Sequence, residues 1–383
     1  MLNGPFTPWP CYTEEEAEAV RNVILSNQVN YWTGQEGRKF ECEFADFAQA
    51  EYAIAVSNGT VALDLALNAL GVGEGDEVVV TSRTFLASVS SIVNVGAHPI
   101  FADIDGDSQN ITSETISAVL TSKTKAIICV HLAGWPCDMD QIIALAKDKG
   151  LFVIEDCAQA HGAKYKGKAV GSIGDIGCWS FCQDKIMTTG GEGGMVTTND
   201  RNLWSKMWSF KDHGKSWSAV YEQKHPPGFR WLHESFGTNW RMTEMQAVIG
   251  RIQLKRMAEW HSVRLRYANQ IWATANACNA LRVPKIPKDF EHAAYKCYVF
   301  VNGDEQLRDS IMHEIDSLGV PCFSGSCSEV YLEKAFDNTD LRPKKRLPFA
   351  KELGETSLMF LCHPSLTQLE IDKTCSAIKR VCG

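Results

Sequence analysis

Long apolar runs are missing from this sequence. The longest, such as Ala126 to Ala133 (AIICVHLA), have strand length, whereas a membrane-spanning helix needs about 20 apolar residues. The start, MLNGPFTPWPCYTEEEAEAV, has neither a basic region nor an apolar one, so it does not read as a secretory leader. Positive charge is in deficit: 38 Lys and Arg stand against 46 Asp and Glu, a net charge of −8. That balance argues against a nucleic acid or an anionic membrane as partner. Cysteine is present fourteen times, but no C-x-x-C occurs, and the pairs Cys178/Cys182 and Cys322/Cys327 lack zinc spacing. The expectation is reduced thiols in a cytoplasmic protein with no metal site. No internal repeat and no low-complexity tract is present.

Two nucleotide-binding fingerprints are also missing. GGEGGM has the wrong spacing for a Rossmann G-x-G-x-x-G. Gly162 to Lys168 fits G-x-x-x-x-G-K by letters, but Ala169 stands where a P-loop needs Ser or Thr. The stretch AKYKGKAVG reads instead as a hairpin with Lys-Gly at its turn. Two Asn-x-Thr triplets, at Asn58 and Asn110, would be glycosylation sites only in a secreted protein and need another explanation here.

From about residue 51 to 200, apolar strand-like runs alternate with helical stretches: EYAIAVS before VALDLALNALG, DEVVVTS before FLASVSSIVNVG, KAIICVHL before DMDQIIALAKDKG, and then LFVIEDC. Nearly continuous apolar strands separated by helices predict an α/β fold with a mostly parallel sheet covered on both faces. Right-handed crossovers then collect the strand C-termini on one edge, where ligands bind. Those ends read Ser57 to Thr60, Thr81 to Phe85, Asp156 to Gln159 and Ser180 to Lys185. Beyond residue 243, TEMQAVIGRIQLKRMAEWHSVRLRYANQIWATA has the apolar spacing of one long helix. Shorter pieces punctuated by proline follow. The organisation expected is a large domain with an N-terminal segment over 1–250, and the long connecting helix with a smaller C-terminal α/β domain over 251–383. The polar, aromatic stretch KDHGKSWSAVYEQKHPPGFRWLHESFGTNW is too long for a simple connection and reads as a functional or interface loop.

The chemistry is concentrated in WSFCQDKIMTTGGEGGMV, from Trp179 to Val196. Its single lysine, Lys185, follows a buried strand at the predicted functional edge and precedes a glycine-rich loop that lets backbone approach a ligand. A desolvated lysine can form a Schiff base with a carbonyl cofactor. Pyridoxal phosphate needs such a lysine, an acid beside its ring nitrogen and an anion site for its phosphate. Asp156 ends LFVIED and fits the acid; alternation along the strand should point Glu155 the other way. Ser57-Asn58-Gly59-Thr60 opens a helix whose free N–H groups suit a phosphate, and Ser57, Asn58 or Thr60 could cap it. Ser180 could add a hydroxyl, and Phe85 could stack on the ring.

Together with FECEFADFAQAEYAIAVSNGTVALDLALNALGVGEGDEVVV, TFLASVSSIVNVGAHPIFADID, VIEDCAQAHGAKYKGKAVGSIGDIGCWSF, DKIMTTGGEGGMVTTND and GTNWRMTEMQAVIGRIQL, these residues make the chain resemble the DegT/DnrJ/EryC1/StrS family of pyridoxal-phosphate sugar aminotransferases. The resemblance implies the aspartate aminotransferase (type I) fold and pyridoxal 5'-phosphate as cofactor. It implies that Lys185 carries the cofactor and shuttles the proton, and that Asp156 partners the ring nitrogen. It implies likewise that Gln159 lies near the phenolic oxygen, that Gly59, Thr60 and Ser180 hold phosphate, that Phe85 stacks, and that Asn239 reaches the neighbouring subunit's cofactor phosphate in a homodimer with shared active sites. Departures are the paired Gly190 and Gly191, Ile186 for the usual Asn, and Trp240 for the aromatic of NYRM. The equivalents of Tyr31, Trp32 and Thr33 line the sugar pocket in relatives, and His161 lies behind the site. The activity implied is transfer of an amino group from L-glutamate to a nucleotide-linked keto-sugar, with UDP-2-acetamido-2,6-dideoxy-hexos-4-ulose favoured, as on routes to bacillosamine-type glycans. A 3-keto or a dTDP- or GDP-linked sugar, or dehydration on the same cofactor, are the alternatives.

Overall fold

The computed structural model describes residues 5–383; residues 1–4, at the head of the stretch read as carrying no leader, lie outside the described residues. Two helices, α1 (Glu14–Leu25) and α2 (Glu36–Phe47), lead into β1 (Tyr52–Val56) and α3 (Gly59–Ala69). There follow β2 (Glu77–Thr81), α4 (Ala87–Asn94), β3 (His98–Ala102), α5 (Ser113–Ser117), β4 (Thr124–Val130), α6 (Met139–Lys149) and β5 (Phe152–Asp156). A short hairpin, β6 (Lys164–Tyr165) and β7 (Lys168–Ala169), precedes β8 (Ile176–Ser180) and β9 (Gly194–Thr198).

Seven of these strands form one sheet in the order β1-β9-β8-β5-β4-β2-β3. The pairs from β8 through β5, β4 and β2 to β3 are parallel; β9 runs antiparallel to both β8 and β1. The strands are apolar on both faces because both faces are covered. In β2, Val78 and Val80 pack with Leu63, Leu67 and Ile92 of α3 and α4, while Val79 between them packs with Ile142 and Ala146 of α6. Each such side chain removed from water contributes about 1.5–3 kcal/mol.

The expected turns are present. Lys166 and Gly167 take positive φ, 49° and 81°, as a tight Lys-Gly hairpin turn between antiparallel β6 and β7 requires, so the P-loop lettering is coincidental. Asn58, not Ser57 or Thr60, caps α3 by accepting from Val61 N–H. Asn110 is buried and bonds the backbone of Leu132 and Trp135. Both glycosylation-like triplets are thus structural.

After α7 (Arg201–Phe210), the long polar loop carries α8 (Trp217–Tyr221) and presents Phe229, Trp231 and Phe236 at 78%, 84% and 99% exposure. α9 (Glu244–Ala275) then runs as one helix, opened by Thr243 in a capping box with Gln246. The expected division at 250/251 falls inside this helix. Its first half packs into the core beneath the large sheet through Ala247 and Met257, and its second half into another core through Tyr267 and Ile271. That second core is built on β10 (Leu281–Arg282), β12 (Cys297–Val301), α10 (Glu305–Ser317), β13 (Cys322–Phe323), β14 (Ser357–Phe360) and α12 (Gln368–Cys382), while β11 (Phe290–Glu291) and α11 (Pro348–Thr356) pack with β4 and α6. Four of its strands form an antiparallel sheet, β10-β12-β14-β13, whereas β11 joins the β6/β7 hairpin. Among the described residues, no helix is long and apolar enough to cross a membrane.

Candidate active site

The C-terminal ends of β1, β2, β5 and β8 surround a cavity of about 710 Å³, within the range of small-molecule sites. Of the residues singled out in the sequence, Gly59, Thr60, Phe85, Asp156, Gln159, Ser180 and Lys185 all line it. Asn239 does not: it is exposed and bridged to Asp212, outside this wall.

One end of the cavity is the N-terminus of α3. The first N–H groups of α3 have no partner within the helix, and the helix dipole adds positive potential there. Gly59 is required by space: a Cβ on it would come within 2.6 Å of the Ser180 Cβ. The approach puts the Ser180 hydroxyl beside the helix N-terminus.

The floor is Asp156. Its Oδ2 accepts from the Ser88 hydroxyl at 2.8 Å and its Oδ1 from Ala158 N–H at 3.1 Å. Burial pushes its carboxyl above the usual range, against the lowering pull of Ser88, Ala158 and the Lys185 charge. An acid so placed gains from a cation brought beside it. Glu155 faces the other side, as alternation requires. His131 Nε2 donates to it, and the N–H groups of Gly171, Ile173 and Gly174 do likewise. Burial pushes the Glu155 carboxyl up, but these donors outweigh it and hold it low. His131, Glu155 and Cys157 stand close enough to suggest a metal site. However, His131 Nδ1 accepts from Cys137 N–H, so both ring nitrogens are already engaged.

Gln159 Oε1 accepts from Ala133 N–H at 2.8 Å, which leaves its amide N–H groups to donate to a ligand. Phe85, on the lip, is 70% exposed, unusual for a phenylalanine in a rigid wall and fitting for one that stacks on a bound ring. Lys185 is mostly buried, with 17% of its side chain exposed. Trp9 Nε1 donates to its backbone carbonyl at 2.8 Å, and its own N–H donates to Cys182 O. His161 lies behind, fully buried against Trp179 and Phe181, and burial with the Lys185 and Arg264 charges pushes it down to about 3, so it is neutral.

Sequence reading missed Ser88, Trp9 and the Asp184–Tyr295 pair. Ser88 left one signal, a hydroxyl on the buried side of an apolar helix. Tyr295 and Trp9 left none, since each lies far along the chain from Lys185.

An amine on a flexible stem, a buried acid facing it, an exposed aromatic on the lip and a helix N-terminus fit pyridoxal phosphate group for group. Fold and site together define a pyridoxal-phosphate-dependent aminotransferase of the type I fold. The chain belongs to the DegT/DnrJ/EryC1/StrS aminotransferase family, whose model matches residues 10–379. The GDP-perosamine synthase of Escherichia coli O157:H7 is 39% identical over 375 residues, 96% of each chain. The UDP-N-acetyl-3-dehydro-alpha-D-glucosamine 3-aminotransferase of Acidithiobacillus ferrooxidans is 35% identical, covering 93% of this chain and 91% of its own. Among solved structures, an aminotransferase from Psychrobacter cryohalolentis superposes with a TM-score of 0.97 at 65% identity over 98% of both chains.

Proposed function

We propose that the chain moves the amino group of L-glutamate to a nucleotide-linked keto-sugar in two half-reactions. The observation that carries this reading is that Lys185 is the single cation among the residues lining the cavity and lies close enough to the buried Asp156 for its charge to lower that carboxyl. Lys185 is the attachment point, Asp156 the partner of the ring nitrogen, and Gly59, Thr60 and Ser180 the phosphate cradle. Phe85 covers the ring, and Gln159 donates to its phenolic oxygen. Bound pyridoxal phosphate supplies the carbonyl that takes up the amine and the ring that receives electrons. Lys185 Nζ, once free, takes the proton from the α-carbon of the donor and returns one to the sugar carbon that gains nitrogen. Glutamate leaves as 2-oxoglutarate, and the ketone leaves as an amine.

The acceptor favoured by sequence likeness is UDP-2-acetamido-2,6-dideoxy-hexos-4-ulose, giving the 4-amino sugar. A second acceptor has a specific observation behind it: the relative at 39% identity is named for GDP-perosamine, so the GDP-linked ketone that yields that amine competes directly. Both substrates, and glutamate, are anionic, yet apart from Lys185 the charged residues lining the cavity are the acids Asp156, Asp184 and Glu192. Cations from a second copy would correct this. The exposed loop with Phe229, Trp231 and Phe236 also holds Lys224 and Arg230 and is suited to cover a neighbour's cavity. A cytoplasmic homodimer, with Asn239 reaching the neighbour's phosphate, belongs to the same reading. So does the division into a large domain with an N-terminal segment over 1–250 and the connecting helix with a small C-terminal α/β domain over 251–383.

The test is the visible spectrum of the purified protein with pyridoxal phosphate, before and after L-glutamate. A yellow band that bleaches on adding the donor, and is absent in Lys185→Ala, is the expected result. A protein that stays colourless would return Lys185 to an ordinary loop lysine. Feeding UDP- and GDP-linked 4-keto-sugars separately then decides the acceptor.

A further inference from the structure

Lys185 has a second acid beside it, and the reading above gives that acid no task. Asp184 Oδ1 lies 3.7 Å from Lys185 Nζ, an ion-pair distance and too long for a hydrogen bond. Its other oxygen, Oδ2, accepts from the Tyr295 hydroxyl at 2.6 Å. The same Tyr295 ring lies under Lys185 Nζ, 5.5 Å from centroid to nitrogen. Tyr295 is buried just ahead of β12 in the core beneath the large sheet, so that core holds the tyrosine, the tyrosine holds the carboxylate, and the carboxylate faces the reacting nitrogen. A lysine that gives up its covalent partner in every half-reaction needs somewhere for the freed amine and its proton to rest. The face of Tyr295 and the oxygen of Asp184 make such a place.

We propose that Asp184, anchored by the Tyr295 hydroxyl, is the counter-ion that docks the free Lys185 ammonium between proton transfers and favours the protonated form of that nitrogen when it is covalently linked. This rests on the aminotransferase reading and adds to it a fixed negative charge beside the reacting nitrogen.

The other groups around Lys185 do not take this place. Asp156 is committed to Ser88 and Ala158 on the cavity floor. His161 is neutral, and Cys182 is held protonated by burial and by Glu192, whose carboxylate it faces at 3.8 Å. Lys296 and Arg264 are cations; the first helps keep Asp184 ionised, and the second acts on Tyr295. Burial pushes Asp184 up, but Lys185, Tyr295 and Lys296 together outweigh it and hold it below the usual carboxylate range. Asp184 is therefore charged at any pH at which Lys185 works. An anion near an amine or imine nitrogen favours its protonated form, so removing the anion must lower the pH at which the nitrogen loses its proton.

The experiment is a spectroscopic pH titration of the loaded protein without donor, following the colour change of the Lys185-linked chromophore. Asp184→Asn is expected to move the midpoint to lower pH by about one unit, a tenfold drop in proton affinity, kept this modest because the carboxylate is 46% exposed. Tyr295→Phe should shift it the same way by less, and Asp184→Glu should restore part of the wild-type value. If Asp184→Asn does not retain cofactor, the pH dependence of Lys185 modification by trinitrobenzenesulfonate in the cofactor-free protein gives the same comparison. An unchanged midpoint in Asp184→Asn overturns the proposal while leaving the aminotransferase reading intact. A wild-type protein with no lysine-linked chromophore overturns both.

Discussion

Glu155 and Asp156 are neighbours at the end of β5, both carboxylates and both buried. They do opposite things. Glu155 is surrounded by donors, one imidazole N–H and three backbone N–H groups, which lock the hairpin segment that follows β5 against the sheet. Asp156 has one hydroxyl and one N–H for a wall, and otherwise looks into a cavity. Two adjacent side chains on a strand face opposite sides of the sheet, so a single residue step separates a structural acid from a functional one. Full satisfaction makes Glu155 a source of stability. Incomplete satisfaction makes Asp156 a source of binding energy for a cation.

The comparison breaks most visibly on the structural side. Glu155→Ala strands His131 and three N–H groups in the interior. It should cost about 3–5 kcal/mol, the usual price of removing one partner of a buried pair. The change is read as a lower denaturant midpoint at constant slope. A loss near that of a surface substitution would remove the distinction drawn here. Asp156→Asn should do the reverse: the fold survives, while turnover falls by about 10²–10³-fold, as when one charge-stabilising group is lost from an active site. The pH dependences differ in sign. The Glu155 carboxyl is held low in the fold, so its contribution is present above the ordinary carboxylate range and is lost as pH falls through the folded value. Burial holds the Asp156 carboxyl high in spite of the Lys185 charge, so its ionisation costs stability increasingly as pH rises through the folded value. The cofactor-free Asp156→Asn protein should accordingly be at least as stable as wild type at neutral pH. The smallest effect sharpens the same contrast: Ser88→Ala removes one hydrogen bond to a charged group, about 1.5 kcal/mol. Cofactor affinity, read by equilibrium titration of the absorbance, should weaken about tenfold. An unchanged affinity would mean that the Thr84–Ser88 hydroxyl pair plays no part in holding Asp156.

Much of this site could be read before any coordinates. Lys185, Asp156, Gly59 and Ser180 stand at strand ends, and apolar strands alternating with helices place strand ends on one edge. The roles of Gln159 and Asn239 came only with the family resemblance; neither residue type at such a spacing names a partner. Ser88 was hidden because its significance lies in what faces it across two elements. Asp184 was visible as one of two acids in its stretch, but its meaning depends on Tyr295, 111 positions along the chain. The hairpin turn and the capped start of α3 within Ser57 to Thr60 were legible because each is settled within a few residues, though which of those residues caps the helix was not.

What the sequence determined by itself is therefore local: which runs are strands, which are helices, where each begins, and that Asp156 and Glu155 point apart. Those choices follow from backbone sterics, alternation and capping, which act over a few bonds. The tertiary structure alone decided that β1 pairs with β9 at one edge of the sheet and not with β2, its successor in sequence. That choice brings Gly59 against Ser180, and packing the segment before β12 into the core beneath the large sheet brings Tyr295 to Asp184. Strand order and helix docking are set by how all the apolar faces can be buried at once, a condition that no short stretch of the chain contains.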